Sequence, residues 1–191
     1  MLLTLAFFIQ INMAILRETA SKNQTVIDIA KKMMIAARTA PKGRGKDSLE
    51  MMIISGNEII TLAETLEKLG HEMQVDFYLR DANNIKSSEA ILLIGTEIKP
   101  LGLQEICQLC GFENCTDKEK HPNTPCVFNT GDLNLAIGSA VSLAADLRID
   151  NRVMFSVGKA ALASNFFEKN IKIAFGIPLS ASSKNPFFDR N

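Results

Sequence analysis

The sequence predicts an α+β protein in which a sheet flanked by helices is interrupted by a cysteine-rich, metal-binding insertion. Three observations carry this. Short apolar runs such as Met51–Ser55 and Ala90–Ile94 alternate with amphipathic stretches of helical period. The strongest helical stretch, Asp132 to Leu147, follows directly on a segment rich in turn formers. All four cysteines of the 191-residue chain lie in that segment, within twenty consecutive residues from Cys107 to Cys126.

The elements read as follows. Thr19 to about Arg38 has apolar Val26, Ile29, Ala30, Met33, Met34 and Ala37 at helical spacing, with Lys31 and Lys32 opposite. Ala40-Pro41 ends it, because a residue before proline is pushed out of helical geometry. The basic, glycine-rich loop from Pro41 to Ser48 leads into a buried strand at Met51–Ser55. Asn57 is placed to cap a helix running to Leu69 and closed by Gly70, and a further helix fits His71 to Ala82. Ala90–Ile94 is the clearest buried strand. Beyond the cysteine segment, the Asp132 helix presents Leu133, Ile137, Val141 and Ala144, and its Gly138, Ala140 and Ala144 allow a close backbone approach. Val153–Val157 and Ile171–Phe175 read as strands with a helix at Lys159–Phe167 between them, and the tail from Gly176 has little regular pattern.

This organises the chain as an apolar extension at residues 1–12 and a single α+β domain at 13–191, with the cysteine-rich module at 100–128. The extension is too short to span a bilayer and lacks the basic start and small-residue cleavage site of a signal peptide. It reads as a start placed ahead of Met13, or as an extra strand or helix turn, and nothing else resembles a membrane segment. The expected location is the cytoplasm. With 21 basic residues against 21 acidic ones, the chain lacks the cationic surplus of a nucleic-acid binder. Trp is absent and Tyr occurs once, so stacking platforms for single strands are missing too.

In a reducing compartment cysteines rarely form structural disulfides. Their clustering therefore points to metal ligation by Cys107, Cys110, Cys115 and Cys126, spaced Cys-x2-Cys-x4-Cys-x10-Cys. The x2 pair brings two thiolates to one centre from a single turn, and Gly111 beside Cys110 lets the backbone curl. The fourth cysteine sits just before a helix, whose N-terminus favours an anionic group. Four thiolates suit an iron–sulfur cluster. Structural zinc is the alternative, with His121 able to replace one thiolate.

The stretch CQLCGFENC, the run PCVFNTGDLNLAIGSAVSLAADLRIDNRVMFSVGKAA and the tail GIPLSASSKNPFFDR together resemble an uncharacterised bacterial and archaeal family of ferredoxin-domain-containing proteins. The x2, x4 opening is also similar to four-iron domains of membrane electron-transport ferredoxin subunits and corrinoid iron–sulfur proteins, although their last gap is usually longer than x10. The resemblance implies one [4Fe-4S] cluster. The helix ending in AARTAP, the loop and strand after it, and the D-x3-A-x6-LAA pattern from Asp132 to Ala145 resemble a nitroreductase-type flavin fold. That resemblance implies a mixed sheet flanked by helices, a homodimer, and FMN at its interface gripped by basic residues of the first helical region and the loop after Ala-Pro. The chain departs from that family in lacking an Arg-Arg-Ser opening and in placing Lys42 where serine is usual.

Outside the cysteines, the loop Lys42, Gly43, Arg44, Gly45, Lys46 is the best phosphate-binding candidate, since glycines permit close approach and three cations supply charge. Its competing reading is a solvated surface loop. Lys184, with Ser180, Ser182 and Ser183, suits an anionic group, or belongs to a surface strap pinned by Phe187 and Phe188. His71 reads as a charge beside a helix C-terminus. Asp132 reads as a helix cap and Asp146 as a partner for Arg148. No Ser–His–Asp arrangement stands out among two histidines. The sequence thus points to a redox protein passing single electrons to or from an unknown donor or acceptor, with a nitroreductase-like FMN oxidoreductase as one form of it. The rival is a non-enzymatic, zinc-stabilised interaction protein.

Overall fold

The computed structural model describes residues 15–188. The expected apolar extension and the start at Met13 lie outside the described residues. The element order is α1 (Glu18–Thr39), β1 (Leu49–Ile54), α2 (Asn57–Met73), α3 (Asp76–Ile85), β2 (Ala90–Glu97), α4 (Cys115–Glu119), α5 (Val127–Asp146), β3 (Asp150–Asn151), α6 (Phe155–Ala163) and β4 (Ile171–Ser180). The strands form one sheet in the order β1-β2-β4-β3.

Every described strand pair is antiparallel, so the expected mixed sheet is corrected on this point. Two packed helices, α2 and α3, join β1 to β2, where a parallel crossover has one. The continuous apolar run of β2 follows from burial on both faces. Ala90, Leu92 and Ile94 join the core formed with α1 and α5, while Ile91 and Leu93 join the core formed with α2, α3 and α6. This is the two-residue alternation of a pleated strand.

Three expected boundaries move. α2 continues past Gly70, because that glycine is a packing site: a Cβ there would lie 2.8 Å from Leu79 Cδ2. The left-handed cap falls on Gln74 at φ 56°, and His71 lies in the last turn of α2, not at the head of α3. Gly56, not Asn57, is the N-cap of α2. The expected strand at Val153–Val157 is instead a bridge from Met154 to Gly176 followed by α6. Gly158 explains why: its helix lies so close to β4 that an added Cβ would stand 1.9 Å from the Ala174 carbonyl oxygen. β4 itself runs five residues beyond Phe175, to the buried Ser180.

α5 begins at Val127, five residues before Asp132. Ala140 and Ala144 pack into the core it shares with α1, and Ser139 Oγ donates to the Ala36 carbonyl at 2.8 Å. Gly138 departs from the expected close approach and faces open space.

The connection from α1 to β1 is held by Asp47, whose carboxylate accepts from the Arg38 guanidinium and from the Leu49 N–H. Burial pushes this carboxyl up, but those hydrogen bonds and the nearby cations outweigh it and hold it below its ordinary 3.8. A carboxyl that is a stronger acid when folded stabilises the fold above its unfolded value. That contribution disappears as the pH falls through the lower, folded value. Asp47→Asn lacks it at every pH, so the urea midpoints of wild type and variant are expected to converge as the pH drops from about 5 towards about 2.

Candidate metal centre

The cysteine segment leaves β2 at Glu97 and returns at α5, bridged by a short 3-10 turn at Gln104–Ile106 and the five-residue α4. Cys107 follows that turn, its N–H donating to the Gln104 carbonyl at 3.4 Å. The backbone then curls through left-handed Gln108 (φ 50°) and Gly111 (φ 82°), and the Gly111 N–H closes on the Gln108 carbonyl at 3.1 Å. Gly111 therefore fills the role expected of it, in a conformation that glycine adopts without a steric penalty. Cys115 opens α4, whose cap Asn114 accepts from the Asp117 N–H at 2.8 Å. Cys126 is buried and is the N-cap of α5.

All four thiols are free of disulfides and line one narrow cavity together with Leu101, Phe112 and Phe128. Among the described residues no three His, Cys, Asp or Glu side chains gather tightly enough to grip a single ion. The donor set fits an iron–sulfur cluster: four soft thiolates from one segment, walled by apolar side chains. His121 is not among the residues lining the cavity and stacks instead on Phe112 at 4.9 Å between ring centroids.

α5 clamps the segment at both ends. Asn129 Oδ1 accepts from the Lys99 N–H at 2.9 Å, and Asp132 accepts from the Gly43 N–H through both carboxylate oxygens at 3.0 Å. The spacing Cys126, Asn129, Asp132 is the three-residue step that keeps side chains on one helix face. Asp132 is therefore a buried tie deep in the helix rather than the expected cap. Asp132→Ala leaves the Gly43 N–H without its partner and is expected to lower stability by about 1–3 kcal/mol, read as a shift in urea midpoint.

The basic loop is spoken for by backbone carbonyls. Lys42 Nζ donates to the carbonyls of Ala37, Arg38 and Ala40, each at 2.7 Å, closing the C-terminus of α1. Burial pushes this lysine below its ordinary value. Arg44, at φ 55°, donates to Gly102 O at 3.2 Å, and Lys46 donates to Leu101 O at 3.3 Å. Gly43 packs closely on the segment, since a Cβ there would lie 2.9 Å from Leu101 Cδ2. The loop braces the start of the cysteine segment through Arg44 and Lys46, whose side chains are otherwise exposed. Lys184 lies in the exposed tail, where its carbonyl accepts from Ser182 Oγ at 2.6 Å, and does not line the cysteine cavity. Phe187 pins that tail in the core as expected, while Phe188 stays exposed beneath the Arg152 guanidinium.

Lys118 escaped the sequence reading. It is 2% exposed and lines the same cavity as the cysteines, yet the run Asp117-Lys118-Glu119-Lys120 reads as a solvated charge cluster. The three-residue step from Cys115 was the one signal available.

A family described as uncharacterised proteins containing a ferredoxin domain matches residues 122–190, a stretch that includes Cys126 but not the other three cysteines. A protein of Archaeoglobus fulgidus, itself described as uncharacterised, is 38% identical over 186 residues, covering 92% of this chain and 97% of that one. Among solved structures, an FMN-bound nitroreductase from Bacteroides fragilis matches with TM-score 0.59 at 12% identity, covering 86% of this chain and 81% of that one. An FMN-bound nitroreductase from Desulfitobacterium hafniense gives 0.56 at 13% identity, over 82% and 78%. A BluB-like flavoprotein from Clostridium difficile gives 0.51 at 16% identity, over 82% and 84%. These structures share the fold. No described helix is long and apolar enough to cross a membrane. On the extent of these matches, the chain belongs to the family of ferredoxin-domain-containing proteins, built on a nitroreductase-like fold.

Proposed function

We propose that this is a cytoplasmic iron–sulfur redox protein: a single α+β domain whose cysteine-rich module, residues 100–128, binds one [4Fe-4S] cluster through Cys107, Cys110, Cys115 and Cys126. The observation that carries the reading is that the four thiols of one short segment line a single cavity. The ferredoxin description of the family, whose match includes Cys126, supports an iron–sulfur centre. Structural zinc on the same four thiolates is the rival reading, and iron against zinc with acid-labile sulfide separates the two. When bound, the cluster supplies single-electron transfer. The protein supplies the thiolates, an apolar wall that excludes water, and a rigid mount through Cys126 and the ties of Asn129 and Asp132. The electron donor or acceptor is a further molecule that the fold does not identify.

Reduction of anaerobically purified protein with dithionite tests this. The expected result is a brown protein whose visible absorption bleaches as a paramagnetic, low-temperature signal grows. A colourless protein with no such signal contradicts it.

The nitroreductase-like fold favours one extension, a homodimer that holds FMN at its interface. The outer face of α5 suits a second copy: Leu135 is 54% exposed, and Gly131 and Gly138 have open space above them. Leu135→Glu is then expected to convert a dimer to a monomer in light-scattering chromatography. A wild-type monomer removes the extension and leaves the cluster reading intact. A flavin spectrum in the supernatant of denatured protein tests FMN separately. The Lys42–Lys46 loop, which also braces the module, and Lys184 are the candidates for the flavin phosphate in that extension.

A further inference from the structure

Two lysines, one within α4 and one at its C-cap, differ sharply. Lys120 is exposed and pairs with Asp117 at 3.3 Å. Lys118, two residues earlier, is 2% exposed and among the largest fully buried side chains of the protein. Among the described residues no carboxylate pairs with it, although Asp117 and Glu119 flank it in the chain. It lines the cavity of the four cysteines beside Leu101, Leu103, Phe112 and Phe128. Taking a cation out of water among apolar side chains is costly unless an opposite charge meets it. Four thiolates provide that charge. A cluster held by four thiolates is anionic, and each electron it accepts adds one more negative charge.

We propose that Lys118 is the charge-balancing residue of the four-cysteine centre, its ammonium offsetting the negative charge of the thiolate-bound cluster and favouring the reduced form. This rests on the cluster reading and deepens it. In the redox step one electron from a chemical reductant such as dithionite enters the cluster, and no bond to Lys118 forms or breaks. A nearby fixed cation stabilises the reduced state more than the oxidised state, because the reduced state carries the larger charge. Without metal the same lysine lies buried with no ion-pair partner among the described residues, an unfavourable arrangement.

The test compares wild type, Lys118→Met and Lys118→Arg as full-length proteins prepared anaerobically. Methionine keeps the unbranched stem and removes the charge, and arginine keeps the charge. Iron and sulfide are assayed first, then the midpoint potential is measured by dye-mediated titration with dithionite. At a fixed potential the reduced-to-oxidised ratio of Lys118→Met is expected to fall about tenfold, a shift of about 59 mV for one electron. Lys118→Arg is expected to stay within about twofold of wild type.

The chelator-treated apoproteins give a second readout, which stands even if Lys118→Met fails to retain a cluster. Apo Lys118→Met is expected to have a higher urea midpoint than apo wild type. A lysine that served only to pack would give the opposite sign. Equal potentials in loaded wild type and Lys118→Met, or a less stable apo Lys118→Met, overturn the inference and leave the cluster reading standing. Wild type without iron and sulfide overturns both.

Discussion

Gly158→Ala is expected to cost at least about 3 kcal/mol, at the upper end of what overpacking does to a core. The added Cβ would stand 1.9 Å from the Ala174 carbonyl oxygen, 2.2 Å from its carbon and 2.6 Å from the Phe175 nitrogen. All three are backbone atoms of β4, a strand paired to both neighbours, so no side chain can swing away to make room. α6 must lift off the sheet, and the Met154–Gly176 bridge that starts it must open. The second glycine of the contact, Gly176, is closed by Val157, with its hypothetical Cβ 2.3 Å from Val157 Cγ1. Against a typical total of about 5–15 kcal/mol, a loss of this size is a large fraction of the stability. Urea unfolding followed by far-ultraviolet circular dichroism measures it. Gly131→Ala is the control: nothing lies within 4 Å of its Cβ, and it is expected to add roughly 0.5–1 kcal/mol by favouring α5.

Cys126→Ser is expected to abolish cluster binding while leaving the fold in place. Losing a residue that merely orients a metal ligand lowers affinity about 10–100-fold, and losing a thiolate ligand itself costs at least as much. Serine is among the preferred N-cap residues, so α5 keeps its start, and Asn129 and Asp132 keep their ties. Iron and sulfide per chain are expected to fall to background with an unchanged circular dichroism spectrum. Cys115→Ser, at the head of the five-residue α4, is expected to lose colour in the same way. Wholesale unfolding of both variants would instead assign the cysteines to a structural ion on which the fold depends.

The sequence shows some parts of this architecture plainly and hides others for identifiable reasons. α1 and β2 are legible because burial on one stripe, or on both sheet faces, leaves a strong periodic trace. The cysteines are legible because all four fall in one short segment, which the fold brings to a single cavity. Glycines mislead wherever they serve close packing: Gly70 reads as a helix stop but seats α3, and Gly158, between the expected strand and helix, seats α6 on β4. Valines at 153 and 157 pull the same region towards a strand, although tertiary contact makes it a helix. Polar residues mislead when their partners are distant in the chain. Asp132 looks like a cap because nothing local reveals a hydrogen bond to Gly43, 89 residues away. The bracing role of the 42–46 loop is hidden for the same reason, because its carbonyl partners at Leu101 and Gly102 are visible only in three dimensions. Lys118 is the extreme case, a buried charge inside a run that looks solvated.

These ties place the cysteine segment on the core rather than beside it. Its first residues are gripped by the 42–46 loop, its return by α5, and Gly43 and Asp132 join the two grips. Under the proposed reading, a cluster mounted this way changes charge with little backbone movement, which keeps the rearrangement accompanying electron transfer small.

The most direct test is the metal and acid-labile sulfide content of the full chain, purified without oxygen. About four iron and four sulfide per chain are expected, in line with one [4Fe-4S] cluster on four thiolates. A colourless protein carrying stoichiometric zinc and no sulfide would contradict the account.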